Sequence, residues 1–209
     1  LKIRMKQDVE KKIIEAAREL FYEKGFTGVT VRDIASKAEV NLALLHYYFR
    51  TKEKIFEIVF NEAFTLLFRK LNSALSSHVD LFEKIRLIAS SYIATAEKYP
   101  QLASFIMHEL SVNADFVWKS IYSNEEKGDV NTNYEQFFQE VIDAGESGII
   151  KKNDPKILFM DIMSLSLFPF VGSTFLTRFL YSGRKTRFNE AIKYRTDHVC
   201  ELNIKSLQV

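Results

Sequence analysis

Residues 30–54 read TVRDIASKAEVNLALLHYYFRTKEK. Thr30 precedes a short apolar-periodic run, and Asp33 follows three residues later. A hydroxyl at Thr30 can accept from the free N–H groups of a first helical turn, and an acid there suits the positive helix end. The pair is a close variant of the capping box, which more often carries Glu or Gln at its second position. Val31, Ile34, Ala35 and Ala38 then recur at helical spacing, and the small Ala35 and Ala38 admit a neighbouring helix. Asn41 is a good cap for a second helix, which leaves roughly 38–41 for a turn. In that second helix Leu45 and Phe49 lie one turn apart and face the core. Leu42, Ala43, His46 and Tyr47 lie on its other faces. His46, Tyr47 and Tyr48 run directly toward Arg50, Lys52 and Lys54. Tyr hydroxyls and Lys ammonium groups are typical phosphate contacts, and residues near the start of a recognition helix reach base edges.

The preceding segment supports a helix-turn-helix head. Val9, Ile13, Ala16, Ala17, Leu20 and Phe21 form an apolar stripe, with Lys11, Lys12, Glu15, Arg18, Glu19 and Glu23 opposite it. Gly25 follows as a left-handed stop. Three helices with facing apolar stripes make a small DNA-reading unit. Its candidate DNA contacts are Thr30, Arg32, Leu42, Ala43, His46, Tyr47, Tyr48 and Lys52. Thr30 doubles as a cap, and Arg32 reads equally well as a solvated surface side chain. Lys52 opens the next helix, whose positive end favours a phosphate.

AARELFYEKGFTGVTVRDIASKAEV (16–40), followed by HYYFRTKEKIF (46–56), resembles the amino-terminal domain of the TetR/AcrR family of transcriptional regulators. The positions in register are Leu20, Phe21, Gly25, Phe26, Thr30, Ile34, Ala35, Val40, Leu45, Tyr47, Phe49, Lys52, Glu53 and Ile55. The resemblance spans about residues 9–58. It implies an all-α chain with a three-helix DNA-binding head over 1–51 and a larger effector-binding and dimerisation body over 52–209. Two departures stand out. The recognition helix carries His46-Tyr47-Tyr48 where relatives have Tyr-Tyr-His or Tyr-Arg-His. His46 thus takes the base-contacting Tyr position, and Tyr48 the phosphate-contacting His position. Glu39 stands where the family usually has Gly, so a left-handed backbone there would strain it by about 1 kcal/mol.

Composition bounds the rest. The chain has 209 residues, 47% of them hydrophobic, ample for one or two helical domains with cores. Residues 1–70 hold 14 Lys and Arg against 10 Asp and Glu, whereas the remainder hold 15 against 17. A modestly basic front on a slightly acidic rear suits a DNA-reading head. Cys200 is the only cysteine, which points to a reducing compartment and a cytoplasmic protein. Leu1-Lys2-Ile3-Arg4 opens no apolar signal core. Residues 157–176, ILFMDIMSLSLFPFVGSTFL, are apolar enough to suggest a membrane span, but Asp161 and several Ser, Pro and Gly residues interrupt it. A helix buried on most sides is the simpler expectation.

Past residue 50 the pattern stays helical, with expected helices over 52–76, 79–97, 102–110, 113–123, 134–147, 154–181 and 186–205. Residues 124–133, NEEKGDVNTN, read as a polar loop. Asp154-Pro155 reads as a cap followed by a first-turn proline. No strand alternation or repeat is present. The helices over 134–147 and 154–181 are the expected dimer interface, through Phe137, Val141, Leu158, Ile162, Leu165, Phe168 and Phe175. The resemblance implies that the last two long helices pair with their copies in a four-helix bundle. Two heads would then read successive major grooves of a palindrome, about 34–36 Å apart.

Phe64, Phe68, Tyr92, Phe105, His108, Trp118 and Phe168 are candidates for an effector pocket, implied by the resemblance to take a hydrophobic small molecule; each reads more readily as core. His108-Glu109 and His198 with Cys200 match no recognised metal-ligand spacing, and no phosphate-binding or nucleophile-elbow motif occurs. No cofactor, metal or catalysis is expected. The expected partners are double-stranded DNA carrying a palindromic operator, a second copy of the chain and a hydrophobic effector, with no membrane. The chain thus reads as a repressor released by its effector. The rival is a nucleoid or division factor of the same fold that works with a protein partner and no small ligand.

Overall fold

The computed structural model describes residues 2–117 and 128–209. Every regular element among them is a helix. They are α1 (Lys2–Lys24), α2 (Val31–Lys37), α3 (Leu42–Phe49), α4 (Lys52–Leu75), α5 (Leu81–Lys98), α6 (Pro100–Val112), α7 (Gly128–Glu146), α8 (Pro155–Val171), α9 (Ser173–Tyr181), α10 (Lys185–Lys193) and α11 (Arg195–Leu207). Two compact units result, 2–65 with 104–117 and 66–103 with 128–209. The unit containing the head therefore extends beyond residues 1–51, and it recruits the latter part of α6.

The first unit closes over aromatic side chains. Phe21 and Phe56 are fully buried and meet edge to face at 5.1 Å. Phe56 also meets Phe26 at 4.7 Å and Phe105 at 5.9 Å. Edge-to-face contacts of this kind add to the apolar area removed from water. Gly25 ends α1 with φ +68, and a Cβ there would lie 3.0 Å from His108 Nε2 and 3.1 Å from Glu109 Oε1. Glycine is needed at this point for both backbone and space. Glu109 is fully buried and accepts from the Phe26 N–H (2.9 Å) and from Asn113 Nδ2 (2.5 Å). The carboxylate thereby satisfies a loop donor that no helix reaches.

In the second unit α5, α8 and α11 pack on one another around Ile85, Ile88, Tyr92, Leu158, Ile162, Val199 and Leu207. Asp80 caps α5 through the N–H groups of Phe82 and Glu83, and Asp154 caps α8 ahead of Pro155. Lys84, almost wholly buried, meets Glu140 at 2.6 Å. Pro169 stands inside α8 and has no N–H for the Leu165 carbonyl. Arg195 supplies the missing donors, with Nε at 3.0 Å and Nη2 at 2.7 Å from the Leu165 oxygen.

Three helix expectations change. The apolar run over 154–181 is two helices that bend by 77° at the Gly172 break. No single helix among the described residues is long and apolar enough to cross a membrane. The run over 186–205 breaks at Tyr194, between α10 and α11. The polar stretch over 124–133 turns helical from Gly128, and Asn133 bonds Asn72 at 2.8 Å.

Candidate nucleic-acid interface

Local chemistry places α2 and α3. Thr30 and Asp33 form the reciprocal capping box: the Asp33 N–H donates to Thr30 Oγ1, and the Thr30 N–H donates to Asp33 Oδ2. The Thr30 hydroxyl also donates to Asp33 Oδ2 at 2.7 Å. These bonds, side chain first, hold the Asp33 carboxyl below its ordinary range. Thr30 has one hydroxyl proton, and Asp33 holds it. In this geometry the Thr30 hydroxyl serves the cap.

α2 ends in a Schellman turn. The Val40 N–H reaches the Ala35 carbonyl at 3.0 Å, and the Glu39 N–H reaches Ser36 at 3.2 Å. The turn requires a left-handed residue, and Glu39 provides it with φ +55. This is the strain that the missing family glycine implies. Asn41 then accepts from the Leu44 N–H at 2.7 Å and starts α3.

On α3 the side chains sort cleanly. Leu45 and Phe49 are buried, while Leu42, Ala43, His46 and Tyr47 are exposed, Tyr47 at 72%. Positions i, i+1, i+4 and i+5 share one face of a helix. The structure thus brings these four candidates onto one outward strip. Tyr48 is half-buried and meets Tyr47 edge to face at 5.4 Å. Arg32 is exposed on α2.

His46 has a defined orientation. Its Nδ1 lies 2.9 Å from the Arg50 carbonyl oxygen. A carbonyl only accepts, so Nδ1 carries the proton. In the neutral ring Nε2 is then an acceptor. Arg50 stands at φ +57, ψ −51, and the Thr51 N–H reaches back to the Phe49 carbonyl. This is a strained γ-turn, held between α3 and α4, and it supplies the carbonyl that orients His46. Nothing in the sequence at Arg50 signals it, because Arg is an ordinary choice only at negative φ.

Lys52 is engaged within the head. Its Nζ donates to the Phe26 carbonyl and to the Val29 carbonyl, each at 2.9 Å, and sits 4.0 Å above the Phe26 ring. Two of its three donors and its cation–π partner are inside the protein. Lys52 staples the loop that delivers α2, with one donor of its ammonium left over.

The effector and dimer candidates divide differently from expectation. Phe64, Tyr92 and Phe105 are core residues, Phe68 is half-buried, and His108 and Phe168 are exposed. Trp118 lies outside the described residues. None of these lines the cavity of about 730 Å³ found in the second unit, which is bordered instead by α9 and α10. Of the dimer candidates, Phe137, Val141, Leu158 and Ile162 are wholly buried within the chain and offer nothing to a partner; they are core. Leu165 is half-buried. Phe168 and Phe175 are exposed, as are Ile157, Met160 and Phe179.

Residues 13–59 match the family model described as bacterial regulatory proteins, tetR family. Over 182 residues the chain is 29% identical to the "Probable HTH-type transcriptional regulator YttP" of Bacillus subtilis, covering 85% of this chain and 84% of that protein. Among solved structures, the TetR family transcriptional regulator PfmR from Thermus thermophilus superposes with a TM-score of 0.62 at 20% identity, over 90% of this chain and 97% of that one. AibR, solved in complex with isovaleryl coenzyme A and operator DNA, gives 0.57 at 17% identity, over 78% and 85%. The two structures show likeness of fold.

Proposed function

The chain belongs to the TetR family and is a DNA-binding transcriptional regulator, and from that premise we propose that it acts in the cytoplasm as a homodimeric repressor of a palindromic operator, released by a small effector bound in its body. The observation that carries the DNA contact is the outward strip of Leu42, Ala43, His46 and Tyr47 on a doubly anchored α3. Arg32 and Tyr48 flank it as phosphate contacts. Support for an effector comes from the open pocket in the second unit. AibR, of the same fold, was solved with both a ligand and its operator. No catalytic role is assigned.

The orientation of His46 sharpens the expected operator. With the proton on Nδ1, Nε2 can accept, so its partner in the major groove is a base that donates there: the N6 amino group of adenine or the N4 amino group of cytosine. Fluorescence anisotropy on DNA upstream of the protein's own gene tests this. His46→Ala is expected to lose about 1–3 kcal/mol of discrimination at one base pair of each half-site, with the other positions unchanged. Equal selectivity in the parent and the variant would remove α3 as the reader.

A further inference from the structure

The cavity in the second unit has chemistry of its own. Its floor is apolar, formed by Phe170 at the end of α8 and by Phe188 and Ile192 on α10, with both phenylalanines buried. Its rim is cationic: Arg178 on α9 and Lys185 and Lys193 on α10 border it, against the single carboxylate of Glu97. None of the three cations makes an ion pair with another described residue. Unpaired like charges around one opening repel one another, and a bound anion relieves that repulsion.

Two further observations point the same way. Ser173, Thr174 and Thr177 line the cavity from α9 and bring uncharged donors beside the cations. α10 begins at Arg184 with no side-chain cap, so its first-turn N–H groups add positive potential next to Lys185. The volume of about 730 Å³ lies within the range of small-molecule sites. Meanwhile the exposed Phe175 and Phe179 stack on each other at 5.3 Å and take no part in the cavity wall. α9 therefore carries a polar cavity face and a separate apolar surface.

We propose that this cavity is the effector site and that it takes an amphipathic anion: a carboxylate or phosphate head held by Arg178, Lys185 and Lys193, with an alkyl chain laid on Phe170, Phe188 and Ile192. The assignment rests on the effector-released repressor reading for its consequence, whereas binding itself is measurable without DNA.

Isothermal titration of the full-length protein with decanoate and with decyl phosphate tests binding, and decanol and decylamine of equal chain length serve as controls. Saturable binding of the anions and not of the controls is expected. Reversing two charges, Arg178→Glu with Lys193→Glu, is expected to weaken it by about tenfold or more, and the more conservative Arg178→Gln by a smaller factor. Independently of any variant, a diazirine-bearing decanoate should crosslink to peptides containing residues of α9 or α10. Equal binding of decanol or decylamine, no saturable binding of either anion, or crosslinks confined to other helices would overturn the site. Operator release is measured separately by anisotropy. Binding at the cavity with operator affinity unchanged would overturn its effector role, whereas loss of operator binding in the ligand-free protein would strike the regulator reading itself.

Discussion

Lys52 occupies the first position of α4, where the positive helix end disfavours a cation. Two loop carbonyls and the Phe26 ring offset that penalty. Hydrogen bonds to a charged group contribute about 1.5–3 kcal/mol each in favourable cases. Lys52→Met is therefore expected to cost about 2 kcal/mol in urea unfolding. The salt dependence of operator binding should keep its slope if the ammonium stays on those carbonyls and makes no phosphate contact. A slope reduced by about one unit with stability unchanged would return Lys52 to the phosphate backbone. The same single-residue logic separates Thr30 from Tyr47. Both carry hydroxyls, but the Thr30 proton is held by Asp33, and Tyr47 stands 72% exposed. Tyr22 shows what burial does to such a group: desolvation, the largest cause, pushes its hydroxyl up to about 12, so it stays neutral throughout the physiological range.

At the scale of elements, α8 tolerates an interior proline only through α11. Pro169 leaves the Leu165 carbonyl without its helical donor, and the half-buried Arg195 guanidinium takes its place. Arg195→Met should cost about 1 kcal/mol, the low end of the penalty for an unsatisfied carbonyl, because this one is only part-buried. Pro169→Ala restores the N–H, so Arg195→Met in that background should cost measurably less. Additive losses in the double-mutant cycle would show that the two residues act separately. This pairing also marks where sequence reading stops. Helix starts were legible, since Thr30 with Asp33, Asn41 and Asp154-Pro155 act through bonds within three residues. The breaks at Gly172 and Tyr194 were not: a glycine inside an apolar run is compatible with a continuous helix, and Tyr194 carries no breaker chemistry. The left-handed Glu39 was legible only because relatives place glycine there. Of the interface candidates, Leu158 and Ile162 proved to be core for a related reason. α8 is apolar nearly all round, so periodicity could not say that Leu158 and Ile162 turn inward while Ile157 and Met160 turn out. His46 and Tyr47 were legible as outward residues of α3, but the carbonyl that orients His46 comes from a strained turn that Arg50 does not announce.

For the molecule as a whole, specificity in the proposed dimer depends on joining two heads. One α3 has four residues on its outward strip, and in the proposed complex these are too few to distinguish an operator from the excess of other sites. Coupling two heads makes the second contact intramolecular and raises affinity by about 10²–10⁴-fold without any new contact to DNA. The surface available for that coupling is the apolar one. Phe168, Phe175 and Phe179 are 58%, 61% and 72% exposed in the single chain, with Ile157 and Met160 also exposed on α8. Exposed aromatic side chains in such number favour burial against a second copy. Phe175→Glu with Phe179→Glu is expected to give monomers in sedimentation while circular dichroism stays helical, because neither ring belongs to the core of its own chain. Operator affinity should then fall by about 10²-fold or more, and shortening the DNA to a single half-site should make little further difference. A variant that remains dimeric would move the interface off α9. A monomer that still distinguishes the whole palindrome from its half would show that the two heads are joined by the DNA rather than by the body.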